Sequence, residues 1–128
     1  MARRKDKAKA VARSPRYQLK FLESALEEWK HLDGSVRQNL KKLLEKRLDS
    51  PRVPGAELHG ELADCYKIKL RKQGYRLVYQ VRDAALVVLV IAVDRRDKDK
   101  VYEAAMARVR KMVADAIENA GKQVGKRR

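Results

Sequence analysis

The sequence predicts an α+β fold, in which a small antiparallel sheet in β-α-α-β-β-β-α order carries a packed helical hairpin and a C-terminal helix. The first observation is that residues 64–93 contain three strand-like runs separated by two turn signals, Gln73-Gly74 and Arg82-Asp83. The second is that two helical patterns precede this stretch and one follows it. Their apolar stripes need a common surface to cover, and a sheet supplies it.

A short helix and a longer one are predicted before the main strands. Ser24 and Ser35 are each followed three residues later by Glu or Gln, the pattern of a capping box, and apolar residues then recur at helical spacing up to residues 32 and 48. We therefore expect an antiparallel hairpin whose stripes face the sheet. Trp29 lies within the first stripe, which favours core packing over a base-stacking role.

The strand order follows from which runs are apolar on both faces. Residues 86–93 are apolar throughout, which an edge strand would not tolerate, so this run is expected in the centre of the sheet. Residues 75–81 should lie on one side of it. Residues 17–21 alternate apolar with polar side chains, and they are expected on its other side as an edge strand.

One folded domain is predicted at residues 17–110, between a basic flexible arm at 1–16 and a helical extension with a basic tail at 111–128. The C-terminal helix is expected to begin after a cap at Asp97 and to end at Gly121. The domain should therefore contain all of the strands and the first turns of that helix.

The charge is high and unevenly distributed. The 128 residues carry a net charge of +15, with six net positive charges before Tyr17 and four in the last eight residues. Basic tails favour nucleic acid as a partner. The chain has no apolar run long enough to span a membrane, no apolar stretch of a secretory signal, and a lone cysteine, Cys65, so a cytoplasmic protein is expected.

Positively charged side chains converge on one part of the predicted sheet. Alternation along residues 65–71 places Cys65 and the cationic side chains on one face and the apolar side chains on the other, so the cationic face is expected to be exposed. The cations near this face, and the tyrosine one helical turn beyond them, are Lys67, Lys69, Arg71, Arg76, Arg95, Arg96 and Tyr102.

Such a group of cations suits RNA. It can hold phosphates and stabilise the negative charge that grows on phosphorus-bound oxygens in a pentacovalent transition state. Neighbouring positive charges favour the neutral form of a lysine, which can then act as a base on a ribose 2′-hydroxyl, with Arg or Tyr assisting the leaving oxygen. The spacing by itself favours phosphate binding over cleavage. It shows no nucleophile–base set, Gly-rich phosphate loop or metal-ligand pattern, so conventional hydrolases are poor candidates.

The sequence resembles the RelE family of toxin–antitoxin ribonucleases over residues 17–110. The likeness rests on Leu58 and Gly60, on the run DCYKIKLR-x-x-GYRLVYQV, on VVLVIAV, and on the basic pair and Val101-Tyr102 that follow. The resemblance implies an enzyme that cuts the mRNA codon in the ribosomal A site through the 2′-hydroxyl, leaving a 2′,3′-cyclic phosphate, without a metal or cofactor. It favours cleavage over simple binding.

The resemblance also implies roles for individual residues. By position, Lys67 and Lys69 correspond to the catalytic lysines and Arg76 to the arginine that stabilises the phosphate. Arg96 corresponds to the arginine that protonates the leaving group, and Tyr102 to the base-stacking tyrosine. Further RNA contacts are expected from His59, Arg71 and Arg95.

The partners that the resemblance implies are a cognate RelB-like antitoxin encoded by an adjacent gene, the small ribosomal subunit and mRNA, with DNA bound only by the toxin–antitoxin complex. Two positions depart from the family pattern. His59 stands where an arginine is usual, which would weaken one RNA contact or make it pH-dependent. Asp94 stands where glycine is usual, and its charge is expected to reduce the availability of Arg95 or Arg96.

Two other functions compete with this one. A ParE-like toxin would share the architecture but act on DNA gyrase, and that branch generally lacks the cationic set found here. A non-catalytic basic nucleic-acid-binding module would account for the net charge of +15 without an active site. An assay of mRNA cleavage on ribosomes and an assay of DNA supercoiling by gyrase distinguish these three functions.

Overall fold

A four-stranded sheet lies between two helical layers. The structure, a computed structural model, describes residues 16–95 and 100–127, with side chains as far as residue 120. The elements, in chain order, are β1 (Gln18–Phe21), α1 (Glu23–Lys30), α2 (Gly34–Arg47), β2 (Cys65–Leu70), β3 (Tyr75–Arg82), β4 (Val87–Arg95) and α3 (Lys100–Arg127), with a short 3-10 turn (Gly60–Leu62) before β2. The predicted fold class and element order are confirmed.

The strands are arranged in the order β1-β4-β3-β2, which confirms the central position predicted for β4. Strands β2, β3 and β4 pair antiparallel, whereas β1 runs parallel to β4 from Gln18 opposite Val87 to Phe21 opposite Val90. The sheet is therefore mixed, and the expectation of a purely antiparallel sheet is corrected. Two helices and two strands separate β1 from β4, so no tight turn forces them to be antiparallel.

Strand β4 contains a bulge that the periodicity did not predict. The register against β3 shifts between Val78 and Tyr79, whose partners Ala92 and Val90 leave Ile91 as an extra residue. A bulge of this kind reverses the alternation of side chains beyond it. The residues that end β4 therefore face the opposite way from those of an unbroken strand.

Each face of the sheet has its own apolar core. The hairpin of α1 and α2 covers one face, and its core includes Leu40, Leu44, Tyr66, Ile68, Leu77, Tyr79 and Val90. Helix α3 covers part of the other face, and its core includes Cys65, Val78, Leu89, Ile91, Val101 and Ala105. This second core corrects the prediction that the whole face carrying Cys65 is exposed, because α3 needs an apolar surface for its own stripe.

The helical hairpin is capped by residues other than those predicted. Asp33, rather than Ser35, caps α2: its carboxylate accepts hydrogen bonds from the Ser35 backbone N–H at 3.2 Å and from the Ser35 hydroxyl at 2.7 Å. Helix α1 begins one residue before Ser24, and Leu22 occupies its N-cap position. Trp29 packs against Phe21 with ring centroids 5.1 Å apart and borders the hairpin-side core, as predicted.

Helix α3 is longer than predicted, because it continues through Gly121 to Arg127. One glycine costs a helix only about 1 kcal/mol, which good helix formers on either side can offset. Its buried side chains stop at Val109, whereas Val113 is 54% and Ile117 68% exposed. The domain boundary predicted at residue 110 falls inside this helix and stays a prediction. The predicted basic arm, apart from Arg16, and the cap at Asp97 lie outside the described residues.

A network around Arg52 joins three distant segments. The Arg52 guanidinium binds the Asp83 carboxylate at 2.7 Å and that of Asp64 at 3.1 Å, and the Tyr17 hydroxyl donates to Asp83 at 2.5 Å. The hydrogen bonds from Arg52 and then from Tyr17 hold the pKa of Asp83 below its usual value. The network therefore ties the loop before β2 and the β3–β4 turn to the residue before β1.

Replacing Asp83 with Asn is expected to lower the melting temperature at neutral pH, because a neutral amide loses the charge-assisted bonds to Arg52. A carboxylate with a lowered pKa stabilises the fold above its ordinary pKa of about 4, and this stabilisation is lost as the pH falls through the lowered value. Thermal unfolding at neutral and acid pH should therefore show the Tm values of Asp83→Asn and wild type converging in acid.

The matched control for this experiment is Asp115→Asn. Asp115 makes an exposed contact of 3.1 Å with Lys111 along helix α3, so its loss should change Tm little. Identical neutral-pH Tm values for Asp83→Asn and wild type would contradict the role assigned to the Arg52 network.

Candidate active site

Cations on β2 and β3 lie side by side on the α3 side of the sheet. Lys69 is directly opposite Arg76, and Arg76 is directly opposite Asp94 on β4. Directly opposite residues project from the same face of a sheet. The three side chains form a row across β2, β3 and β4, which we call the charged row.

Lys67 lies beside the charged row. It is two residues before Lys69 on the same strand face, opposite Val78, and its side chain is half-buried where that of Lys69 is exposed. The sheet thus brings together three of the cations predicted for the site, Lys67, Lys69 and Arg76.

Helix α3 places an aromatic ring over the charged row. The Arg76 guanidinium lies 5.4 Å from the centre of the Tyr102 ring, and both side chains are half-buried. Tyr102 also packs against the core on the α3 side. A cation over an aromatic face is attracted by the ring quadrupole, so this contact holds the guanidinium beside the Tyr102 ring.

A small pocket opens at the end of the row. Its volume is about 220 Å³, and it is lined by Lys69, Leu70, Arg71, Tyr75 and Arg76. Arg71 directly follows the end of β2. Three cations around one small pocket suit a single phosphate group and its adjoining sugar.

Arg95 does not join this group, which corrects the prediction that it converges with the other cations. Its guanidinium lies 5.7 Å from the ring centre of Tyr75, its partner across β3 and β4, and Tyr75 borders the hairpin-side core. The bulge at Ile91 is the physical reason, since it turns Arg95 to the hairpin side. There Arg95 borders a separate groove of about 300 Å³ that His31 also lines.

Asp94 brings a carboxylate into the charged row. Its Oδ1 accepts a hydrogen bond of 2.7 Å from the backbone N–H of Arg95, and the side chain lies on the same sheet face as Arg76. This bond is to the Arg95 backbone, so the predicted reduction in the availability of the Arg95 or Arg96 side chain stays a prediction. The carboxylate adds negative charge beside the cations of the charged row, which opposes the binding of an anion there.

His59, a further predicted site residue, is not part of the charged row. His59 is exposed in the loop before β2, and its charge and that of Lys67 both help to lower the pKa of Glu57, after the larger effect of backbone hydrogen bonds. Arg96 lies outside the described residues, so its assignment stays a prediction.

The open site results from incomplete cover by helix α3. At one end of β2, Cys65 is fully buried under α3, whereas Lys69 at the other end is exposed. Burial raises the pKa of the Cys65 thiol to about 11. The same face of β2 is thus apolar at the Cys65 end and cationic at the Lys69 end.

Sequence reasoning missed Glu28 and Arg108, which meet at the edge of β4 beside the site. Both occur in amphipathic helices, where charged residues are ordinary, and they are 80 residues apart. Their pairing left no signal in the sequence, because only the folded sheet brings α1 and α3 to the same strand.

Within the described residues, no group of three or more His, Cys, Asp or Glu side chains is arranged to hold a metal ion. The helices of the same part of the chain include none that is long and apolar enough to cross a bilayer.

Three comparisons place the chain among known proteins. A family model described as the ParE toxin of the type II toxin–antitoxin system parDE matches residues 19–100. The mRNA interferase toxin RelE of Escherichia coli K12 is 52% identical over 93 residues, which cover 73% of this chain and 97% of that protein.

Solved structures agree with these matches. A free-state structure of an arginine-to-alanine double mutant of E. coli RelE aligns with a TM-score of 0.68 at 50% identity, covering 73% of this chain and 98% of that one. The toxin chain matched in the intact E. coli RelBE toxin–antitoxin complex aligns with a TM-score of 0.61 at 52% identity, covering 64% of this chain and 99% of that one.

The fold and these matches define the class as a toxin of a type II toxin–antitoxin system. Within that class the chain belongs to the RelE family, since half of its aligned residues are identical over nearly the full length of RelE proteins. The family resemblance seen in the sequence is confirmed. The family model bears the ParE name, but the identity of about one half is to RelE.

Cys65 should react slowly with thiol reagents in the folded protein, because the reactive thiolate is both inaccessible and disfavoured. At mildly alkaline pH we expect modification of the native chain to be about a hundredfold slower, or more, than modification of the chain in urea. The release of thionitrobenzoate from Ellman's reagent measures both rates.

Two valine variants test whether α3 is the cover. Val101→Asp disrupts the core shared with Cys65 and should accelerate its modification, whereas Val113→Asp changes an exposed position of the same helix and should not. A native chain that reacts as fast as the unfolded one would show that this face is open.

Proposed function

We propose that this protein is a ribosome-dependent mRNA endonuclease that cleaves the codon in the ribosomal A site and so inhibits translation. The observation that carries the proposal is the juxtaposition of Lys67, Lys69 and Arg76 with the ring of Tyr102 on one open sheet face. The support from relatives is that proteins about half identical to this chain are mRNA interferase toxins.

The cations fit an attack by the ribose 2′-hydroxyl on the adjacent phosphate. In this reaction the 2′-oxygen forms a bond to phosphorus, the bond to the 5′-oxygen breaks, and a 2′,3′-cyclic phosphate remains. Lys67 or Lys69, when neutral, takes the proton from the 2′-hydroxyl. Arg76, next to them, stabilises the charge on the phosphorus-bound oxygens. The reaction uses side chains and requires no metal or cofactor.

The two remaining catalytic roles follow the family resemblance. Arg96 assists protonation of the 5′-oxygen that leaves, and Tyr102 stacks on a base of the codon. The Tyr102 ring lies beside Arg76, and aromatic side chains hold single-stranded bases by stacking irrespective of sequence, which supports this role. Arg71 and His59 hold the flanking RNA, and Arg95 contacts RNA from the hairpin side of the sheet.

The ribosome completes the site. A pocket of about 220 Å³ is smaller than the roughly 300 Å³ at which small-molecule sites begin, so it encloses only part of a nucleotide. A flexible single strand would lose much of its freedom on binding such a site. An mRNA codon held by the small subunit has already lost that freedom, which is why the ribosome is the proposed partner and the cytoplasm the proposed compartment.

A RelB-like antitoxin from an adjacent gene is the proposed inhibitor. Structures of related toxins include complexes with their RelB antitoxins. The net charge of +15 favours an acidic wrapping segment. Binding of DNA is proposed for the toxin–antitoxin complex only.

Replacing Lys69 or Arg76 with Ala is expected to lower the cleavage rate on programmed ribosomes by about 10²–10³-fold, the usual effect of removing one stabilising donor from an active site. Primer extension on the mRNA measures the rate. Lys42→Ala is the control, because it removes the same charge from an exposed position on helix α2.

Intact A-site codons with wild-type protein, under conditions in which E. coli RelE cuts, would contradict the proposal. Salt-sensitive RNA binding without cleavage would then indicate a binding module, and inhibition of DNA supercoiling by gyrase would indicate the ParE-like activity.

Arg96→Ala should separate chemistry from binding. A residue that protonates the leaving group acts in the transition state, so its loss lowers kcat much more than the affinity for the ribosome. Single-turnover cleavage and ribosome co-sedimentation of the same variant measure the two effects. Equal losses in both would show that Arg96 serves binding instead.

A further inference from the structure

Strand β4 extends beyond the strand that protects its edge. Pairing with β1 ends at Phe21 opposite Val90, and the backbone N–H of Leu22 makes one more bond to the Val90 carbonyl at 3.0 Å. Strand β4 continues to Arg95. Its last residues therefore need partners for their edge-facing backbone groups other than β1.

Two side chains from opposite faces of the sheet supply these partners. Glu28 of α1 accepts a hydrogen bond from the Val93 N–H at 3.1 Å, and Arg108 of α3 donates to the Ile91 carbonyl at 2.9 Å. The two side chains also bind each other through two parallel bonds of 3.0 and 2.8 Å. Together they form a bridge around the open edge of β4, which we call the edge clasp.

The edge clasp is partly shielded from water, which favours one fixed geometry for the ion pair. The Arg108 and Glu28 side chains are 23% and 31% exposed. Hydrogen bonds from Arg108 to Glu28 are the largest cause of the raised pKa of Arg108, and the charge of Asp94 also contributes. Bidentate Arg–carboxylate pairs fix orientation as well as distance, and here each partner is further held by a backbone bond.

The clasp joins the two elements that carry Asp94 and Tyr102 to the candidate site, strand β4 and helix α3. The end of β4 carries Asp94 into the charged row, directly after the clasped Val93. Helix α3 carries Tyr102, six residues before Arg108 and thus less than two turns away. A shift of α3 relative to β4 would separate the Tyr102 ring from Arg76.

Resting on the proposed function, we propose that Glu28 and Arg108 are positioning residues that set the Tyr102 ring and the end of β4 in catalytic register with Arg76. They act from the open edge of β4, beside the charged row, and touch no reacting atom. Misplacement of catalytic groups by about 1 Å can cost on the order of a hundredfold in rate, so a rigid connection at this edge has a direct effect on catalysis.

A second ion pair on the same helix provides a matched control. Arg110 binds Glu61 of the 3-10 turn through two bonds of 2.8 Å, with side chains 59% and 50% exposed. This pair has the same chemistry and also fastens α3, but it joins the helix to the loop before β2. The clasp differs by its backbone bonds to β4.

The test compares Glu28→Ala, Glu28→Gln and Glu61→Ala on programmed ribosomes. We expect Glu28→Ala to lower kcat about 10–100-fold with KM for the ribosome nearly unchanged, and Glu61→Ala to change neither. Glu28→Gln keeps an acceptor for the Val93 N–H and for one Arg108 bond, so it should recover most of the rate. A purely structural role would instead lower Tm and leave kcat of the folded fraction unchanged.

Amide hydrogen exchange provides a readout that does not need activity. Loss of the clasp should speed exchange at Val93 and shift the ring resonances of Tyr102 in Glu28→Ala but not in Glu61→Ala. If the wild type cleaves mRNA and Glu28→Ala has the same kcat, the inference is overturned. It is also overturned if Val93 exchange and the Tyr102 ring resonances in Glu28→Ala are the same as in the wild type. An inactive wild type would refute the proposed function, while the exchange and ring shifts still decide whether the clasp holds β4 and α3 together.

Discussion

Strand β4 is apolar on both of its faces, and this requirement for two-sided cover organises the rest of the protein. Val88, Val90 and Val93 face the helical hairpin, whereas Leu89 and Ile91 face α3. Burying both rows removes apolar surface worth about 25 cal/mol per Å² from water. Cover on the second face must come from the C-terminal helix, and the placement of that helix also places Tyr102.

The candidate site exists because that cover stops short. Helix α3 buries Cys65 at one end of β2 and leaves Lys69 open at the other. Cations could not remain charged under an apolar helix without large cost, so the boundary of the core is also the boundary of the site. The Arg76–Tyr102 contact lies on that boundary, where one helix residue serves both packing and the charged face.

Arginine–carboxylate contacts hold the layers where apolar packing ends. Arg52 joins loops at one side of the sheet, and Arg108 joins α1 to α3 around the edge of β4. The clasp has the lower exposure and includes backbone bonds, which gives it more influence on geometry than an exposed pair. Arg16, at the start of the described residues, makes an exposed ion pair with Asp49, so another arginine–carboxylate contact lies near the start of β1.

The strand order, the helical hairpin, the family and the cations of β2 and β3 could be predicted from the residues alone, because periodicity and residue type are local properties. The parallel pairing of β1, the burial of Cys65 and the direction of Arg95 became visible only in the folded chain. The bulge at Ile91 left no trace in a run that is apolar at every position. The meeting of Glu28 with Arg108 depends on backbone pairing between distant segments, and no local pattern of residues encodes such pairing.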